Sequence, residues 1–166
     1  FRASGLTHIE FGTESFCDRT LEAYGKHFTF GDVVRASRLA LDEGVYYAHF
    51  LILGGYGDTR ENVRETIENS RRMEYTVMFP YAGMRIYPHT RLAELAAKEG
   101  VVGRDDDLLG PTYYLSPDFD LEQVRPAALA TGKAWVFPDD PQSALADTLR
   151  LKRNKKGPLW EYLRKP

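Results

Sequence analysis

The sequence holds one cysteine, Cys17, in 166 residues. One thiol makes no intrachain disulfide and no multi-cysteine metal site, and the expected home is the cytoplasm. No run approaches the roughly 18 apolar residues that span a bilayer, and no signal peptide opens the chain. Charge of one sign is lacking too. The formal net charge is −2, with both signs interspersed, so nothing announces a nucleic-acid or membrane partner. An opening methionine is also missing. Phe1-Arg2-Ala3-Ser4-Gly5 reads as a helix end running into a strand, and the expectation is a fragment of a longer polypeptide.

What is present is a globular composition, 43% hydrophobic and 28% charged, enough for one ordinary core. Residues 5 to 100 read as three similar units, each an apolar strand, a Gly-bearing loop and an amphipathic helix that stops at Gly. In the first strand, 8–14, Ile9 and Phe11 alternate with His8, Glu10 and Gly12, so one face is apolar and the other carries carboxylates. A helix over 31–43 follows, capped by Thr29 or Asp32, with Val33, Ala36 and Ala40 as its stripe and Gly44 as its stop. The second strand, 46–53, is apolar nearly throughout, as suits a parallel strand covered on both faces. Asp58 or Thr59 then caps a helix with the stripe Val63, Ile67, Ser70 and Met73. The third strand lies within 76–87, and a helix over 91–99 ends at Gly100.

The spacing of strand starts predicts βα units with right-handed crossovers. The fold class is α/β: three consecutive βα units forming a partial, half TIM-type barrel of parallel strands, since three are too few to close eight. From Val101 the pattern changes. Residues 101–166 read as a mainly helical C-terminal extension, with irregular chain over 109–118, a helix from Asp120 disturbed near Pro126, and another from Pro141 with Leu145 and Leu149 inward. The basic run 152–156 reads as solvated surface. The division is therefore 1–100 and 101–166.

Several strings in these units have familial counterparts. Glu10-Phe11-Gly12-Thr13-Glu14-Ser15 resembles the fourth-strand signature of radical S-adenosylmethionine (SAM) enzymes. Leu21, Gly25-Lys26 and Thr29 fall where that family carries its Leu…Gly/Arg-Lys…Thr segment. Gly54-Gly55-Tyr56-Gly57-Asp58-Thr59 resembles its Gly-Leu-Pro-Gly-Glu-Thr, and Arg85-Ile86-Tyr87-Pro88-His89-Thr90 its Arg-x-Tyr-Pro-Gly-Thr. Tyr114-Leu115-Ser116-Pro117, Trp135-Val136-Phe137-Pro138 and Gly157-Pro158-Leu159-Trp160 look like the C-terminal region of the cobalamin-binding branch, which includes Fe–S oxidoreductases. The family's three-cysteine cluster loop has no counterpart here.

The resemblance implies strands four to six of the family barrel plus the C-terminal extension. It implies SAM and a [4Fe–4S] cluster in a full-length parent, with cobalamin as a further cofactor, and nothing held tightly by this segment. The implied reaction is reductive cleavage of SAM and hydrogen abstraction from a small-molecule, lipid or tetrapyrrole-like substrate. By the same resemblance Glu14 would bond the SAM ribose, Lys26 the SAM carboxylate, Phe50 and Ile52 the ribose and adenine, and Arg85 the adenine through its backbone and the pocket through its side chain. Glu10 shares the face of Glu14 if the strand is regular, and would receive SAM or substrate donors. Each has an alternative: a strand-end ion pair for Glu14, a solvated loop lysine for Lys26, a buried ion pair for Glu10, plain core for Phe50 and Ile52, and a rim ion pair for Arg85. No residue is expected to be catalytic or to bind metal, Cys17 included, and His27 and His49 lack metal-ligand spacing. His89 stands where the family has Gly, which puts that loop's backbone in question. The segment alone should be inactive, with the missing N-terminal half of the same polypeptide as its partner and self-association through exposed sheet edges as a hazard. The competing readings are a non-catalytic standalone half-barrel and a small α/β ligand-binding domain.

Overall fold

The computed structural model describes residues 2–103, 105–138 and 158–166. The expected helix from Pro141 and the basic run 152–156 lie outside the described residues. β1 (His8–Glu14), β2 (Tyr46–Leu53) and β3 (Val77–Ala82) pair side by side in parallel, and a short fourth strand, β6 (Ala134–Trp135), adds to β3. A two-stranded antiparallel ribbon, β4 (Met84–Arg85) with β5 (Tyr113–Tyr114), follows β3 in the chain. The helices are α1 (Asp18–Ala23), α2 (Phe30–Asp42), α3 (Arg60–Asn69), α4 (Arg91–Lys98) and α5 (Leu121–Leu129).

Local chemistry accounts for the helix ends. Thr29, Thr59, Thr90 and Asp120 accept backbone N–H bonds at the starts of α2, α3, α4 and α5, and Asp32 completes a capping box with Thr29. Gly44 and Gly100 take positive φ after α2 and α4, where Val45 N–H bonds Ala40 O and Val101 N–H bonds Ala96 O, as a Schellman stop requires. The expected stripe is buried, Val63 and Ile67 on α3 and Ser70 and Met73 in the 3-10 turn that continues it.

The main core explains the architecture. Leu51, Leu53 and Met78 of the sheet pack with Phe30 and Val33 of α2, Val63 and Ile67 of α3, and Ala128 of α5. These helices therefore lie on one face of a parallel sheet. A doubly wound fold covers both faces with helices; a barrel segment covers only the outer one. On the inner face Ala48, Val77 and Ala134 meet Phe79, Val136, Trp160 and Leu163.

The chain from 101 on also adds the short strand β6 to the sheet, and Trp135 and Phe137 enter the main core. Two expectations are corrected. Residues 109–118 are not wholly irregular, because β5 pairs with β4. α5 continues through Pro126. The ring's missing N–H removes one bond there, but Ala128, two residues on, is fully buried against the core, and that packing holds the helix.

Candidate functional site

The C-terminal ends of parallel strands are where barrel enzymes build their sites, and the irregularities of this sheet gather there. β1 is not a regular strand. Its register with β2 shifts between Gly12, opposite Phe50, and Glu14, opposite Leu51, and Glu14 has φ 69°. A left-handed Glu is unfavourable without compensation, and bulges of this sort re-aim side chains. A Cβ built on Gly12 would lie 3.7 Å from Glu14 Oε1. The carboxylate is thus folded back over the inner face, in ordinary contact range of the place where a Gly12 side chain would stand.

Lys26 reaches the same place from a different element. α1 ends in a Schellman turn, with Lys26 N–H bonding Leu21 O, Gly25 N–H bonding Glu22 O, and Gly25 at φ 69°. That turn aims Lys26 Nζ at Glu14 Oε1, 3.1 Å away. α1 itself escaped the sequence reading. At six residues it is too short to show a period, and its signal was the Leu21…Gly25-Lys26 spacing.

The loop 54–59 is built around Asp58, 4% exposed. Asp58 accepts bonds from Gly54 N–H at 2.9 Å and Thr20 Oγ1 at 2.8 Å. Burial raises its pKa, and these two donors oppose the rise. Ser116 fastens the ribbon end to this loop: its N–H bonds Gly54 O and its hydroxyl donates to Asp58 O. Tyr24, from the end of α1, buries its hydroxyl with no hydrogen-bond partner of normal geometry among the described residues, and a Cβ on Gly55 would lie 2.3 Å from it. Burial pushes the Tyr24 hydroxyl pKa upward, assisted by the nearby Asp58 carboxylate. His89 takes φ 61°, the conformation a glycine would adopt there, and Thr90 caps α4 directly after it.

Of the sequence-predicted residues, Glu14 and Lys26 are brought into contact. Phe50 and Ile52 are partly exposed on the inner face, and the Phe50 ring stacks on Phe79 at 5.1 Å and lies parallel to Tyr81 at 6.1 Å. Glu10 also faces inward, about 13 Å further down the strand at 3.3 Å per residue, where it accepts the Trp160 indole N–H at 3.0 Å. There the C-terminal segment closes the lower end of the sheet. Glu161 meets His8 at 2.7 Å, Tyr75 N–H bonds Lys165 O, and the Arg164 guanidinium lies over the Tyr46 ring. The Arg85 side chain is exposed and rests on the Tyr87 ring.

The residues present fit SAM and do not fit an iron–sulfur cluster. Glu14 offers a carboxylate to a diol or an ammonium, Lys26 a cation to a carboxylate, and Phe50 with Ile52 an apolar surface. Cys17 is fully buried, and among the described residues no trio of His, Cys, Asp or Glu gathers to hold a metal.

The fold is that of a segment of radical SAM structures. It superposes on the Kitasatospora setae radical SAM methyltransferase TsrM, solved with cobalamin and a [4Fe–4S] cluster, with TM-score 0.64 and 17% identity over 95% of this chain and 38% of that one. Elp3 of Methanocaldococcus infernus gives TM-score 0.52 and 16% identity over 79% of this chain and 29% of that one. In sequence the chain is 29% identical over 93 residues, 53% of its length, to an uncharacterized methyltransferase of Pyrococcus horikoshii. It spans a fifth of that relative. No family model matches. No helix among the described residues is long and apolar enough to cross a membrane.

Proposed function

We propose that this chain supplies part of the SAM-binding wall of a radical SAM enzyme of the cytoplasm. The observation that carries the reading is the bulge at Glu14, which turns a carboxylate onto the inner face and against Lys26. In this reading Glu14 takes the ribose hydroxyls, Lys26 the methionyl carboxylate, and Phe50 and Ile52 the apolar side of the nucleoside. When bound, SAM supplies a sulfonium open to reductive cleavage. The chain's own residues hold it at the strand ends and keep water from its apolar side.

The cluster ligands belong, on this proposal, to a preceding segment of the same polypeptide. β1 is an edge strand, and beside it runs a groove of about 260 Å³ lined by Phe11, Phe28, Val33 and Ala36, with His49 at its wall. A further parallel strand and its helix suit that edge. The names of two relatives favour methyl transfer as the outcome over oxidation.

The test is a titration of the ¹⁵N-labelled chain with SAM, followed by amide and side-chain shifts. Weak, saturable shifts at Glu14, Lys26 and Phe50 are expected, and they should vanish in Glu14→Ala. Unchanged spectra at millimolar SAM would remove the reading.

A further inference from the structure

The ribbon of β4 and β5 has two unlike faces. Ile86 and Tyr114, 0% and 5% exposed, enter a second core with Ala96, Val102 and Leu108 under α4. Alternation sends their neighbours the other way. Arg85 stands directly opposite Tyr113 in the register, and Ile86 N–H bonds Thr112 O, so the ladder continues toward Tyr87. Tyr87 and Tyr113 remain 52% and 51% exposed. Arg85 has its guanidinium carbon 4.8 Å from the Tyr87 ring centroid.

Arg85 has no carboxylate partner among the described residues, whereas the next cation along the chain, Arg91, is engaged with Glu94 at 3.1 Å. A guanidinium placed over a ring face by this contact still has N–H edges that match a carboxylate bidentately. A solitary lysine would offer no such plane. Two exposed rings flanking one oriented cation suit a ligand with one anionic group on a flat apolar body. A phosphate dianion calls for a second cation, and residues 84–87 and 112–116 contain none besides Arg85.

We propose that Arg85, Tyr87 and Tyr113 form a binding site for an aromatic carboxylate, distinct from the Glu14–Lys26 site. Calling that ligand the substrate rests on the enzyme reading above; the binding itself does not. The site would set specificity by gripping the carboxylate end of the substrate at the rim that follows β3.

The experiment is an NMR titration of the 166-residue chain with benzoate, acetate and inorganic phosphate, followed at Arg85 Nε–H and at the Tyr87 and Tyr113 ring resonances. Benzoate should give saturable shifts at all three residues, at least about fivefold tighter than acetate or phosphate. Arg85→Lys should weaken benzoate about fivefold or more, because the fork is lost while the charge stays. Tyr113→Ala should abolish the preference for benzoate over acetate while Arg85 still responds. Equal affinity for benzoate and acetate, tighter phosphate than benzoate, or non-saturating shifts would each overturn the proposal. A chain that ignores SAM but binds benzoate here would sink the SAM-wall reading alone.

Discussion

The Lys26 ammonium lies 3.1 Å from the Glu14 carboxylate, with side-chain exposures of 30% and 23%. Each neutralises the other at the strand ends. A partly exposed pair of this kind stabilises the fold by at most about 1 kcal/mol, so a ligand bearing both an anion and donors can separate it at little cost. Lys26→Met should therefore leave thermal stability within a few degrees of the parent while weakening SAM at least about tenfold, the weight of a charge-assisted bond. Lys26→Arg should retain binding. Melting curves and the SAM titration, run on the same samples, separate the two effects. A large loss of stability with SAM affinity intact would assign the pair to the fold alone.

His49 has a different fate from the other histidines. It is fully buried, its Nδ1 is 2.6 Å from Thr13 Oγ1 and its Nε2 3.2 Å from Ser37 Oγ. Burial lowers its pKa to about 3, so the folded protein holds it neutral. The unfolded chain takes up its proton near pH 6.5. Between about pH 3 and 6.5 the unfolded state binds the extra proton, and stability from this group falls as pH is lowered; above that window its contribution is complete. Denaturation followed from pH 7 to 4 should show this slope. His49→Phe should flatten it while lowering stability at pH 7 by about 1–3 kcal/mol, because Thr13 and Ser37 lose a buried partner.

The Trp160–Glu10 bond makes the C-terminal segment part of the sheet's lower closure. Trp160→Phe keeps an aromatic ring on the inner face and loses only the indole donor, at a cost of about 1 kcal/mol. Trp160→Ala also uncovers Ala48 and Val77 and should cost about 2–3 kcal/mol, below the range for a fully buried aromatic because Trp160 is only half-buried. Urea unfolding of Trp160→Phe, Glu10→Ala and the double variant checks the pairing. Additive losses would show that the two side chains do not interact.

The strands and capped helices were legible because their signals are local. The alternation of Ile9 and Phe11, the apolar run 46–53, and the Thr caps with Gly stops each lie within one element and the residues that flank it. α1 was hidden by its length, and β6 because two residues carry no period; both are fixed by tertiary partners, α1 by the Thr20–Asp58 bond and β6 by β3. Glu14 was picked from its string. Its aim was not readable, since the bulge depends on pairing with β2, where Glu14 stands opposite Leu51. Glu10 was read onto the right face, but its partner Trp160 lies 150 residues on. Helix α5 was expected to be disturbed near Pro126, because propensity is visible in sequence and the core packing of Ala128 is not.

Gly54 and Gly100 share the same backbone conformation, φ 74° in both, and differ in their surroundings. Nothing lies within 4 Å of a Cβ placed on Gly100, whereas one on Gly54 would stand 2.4 Å from Phe119 Cγ and 2.7 Å from Phe119 Cβ. The atoms met at Gly54 belong to the root of a side chain packed against the main core, so the whole residue must move. Gly100→Ala should cost about 1–2 kcal/mol, the left-handed penalty alone. Gly54→Ala should carry the same penalty plus about 1–3 kcal/mol of overpacking. The two substitutions share their backbone term, so the difference measures how rigidly Phe119 is held over the loop that Asp58 organises. In a Phe119→Gly background, which removes the Cβ as well as the ring, the excess should vanish, and Gly54→Ala should then cost no more than Gly100→Ala. An excess that survives there would place the strain in the backbone of the 54–59 loop, and the close approach of Phe119 would not be its cause.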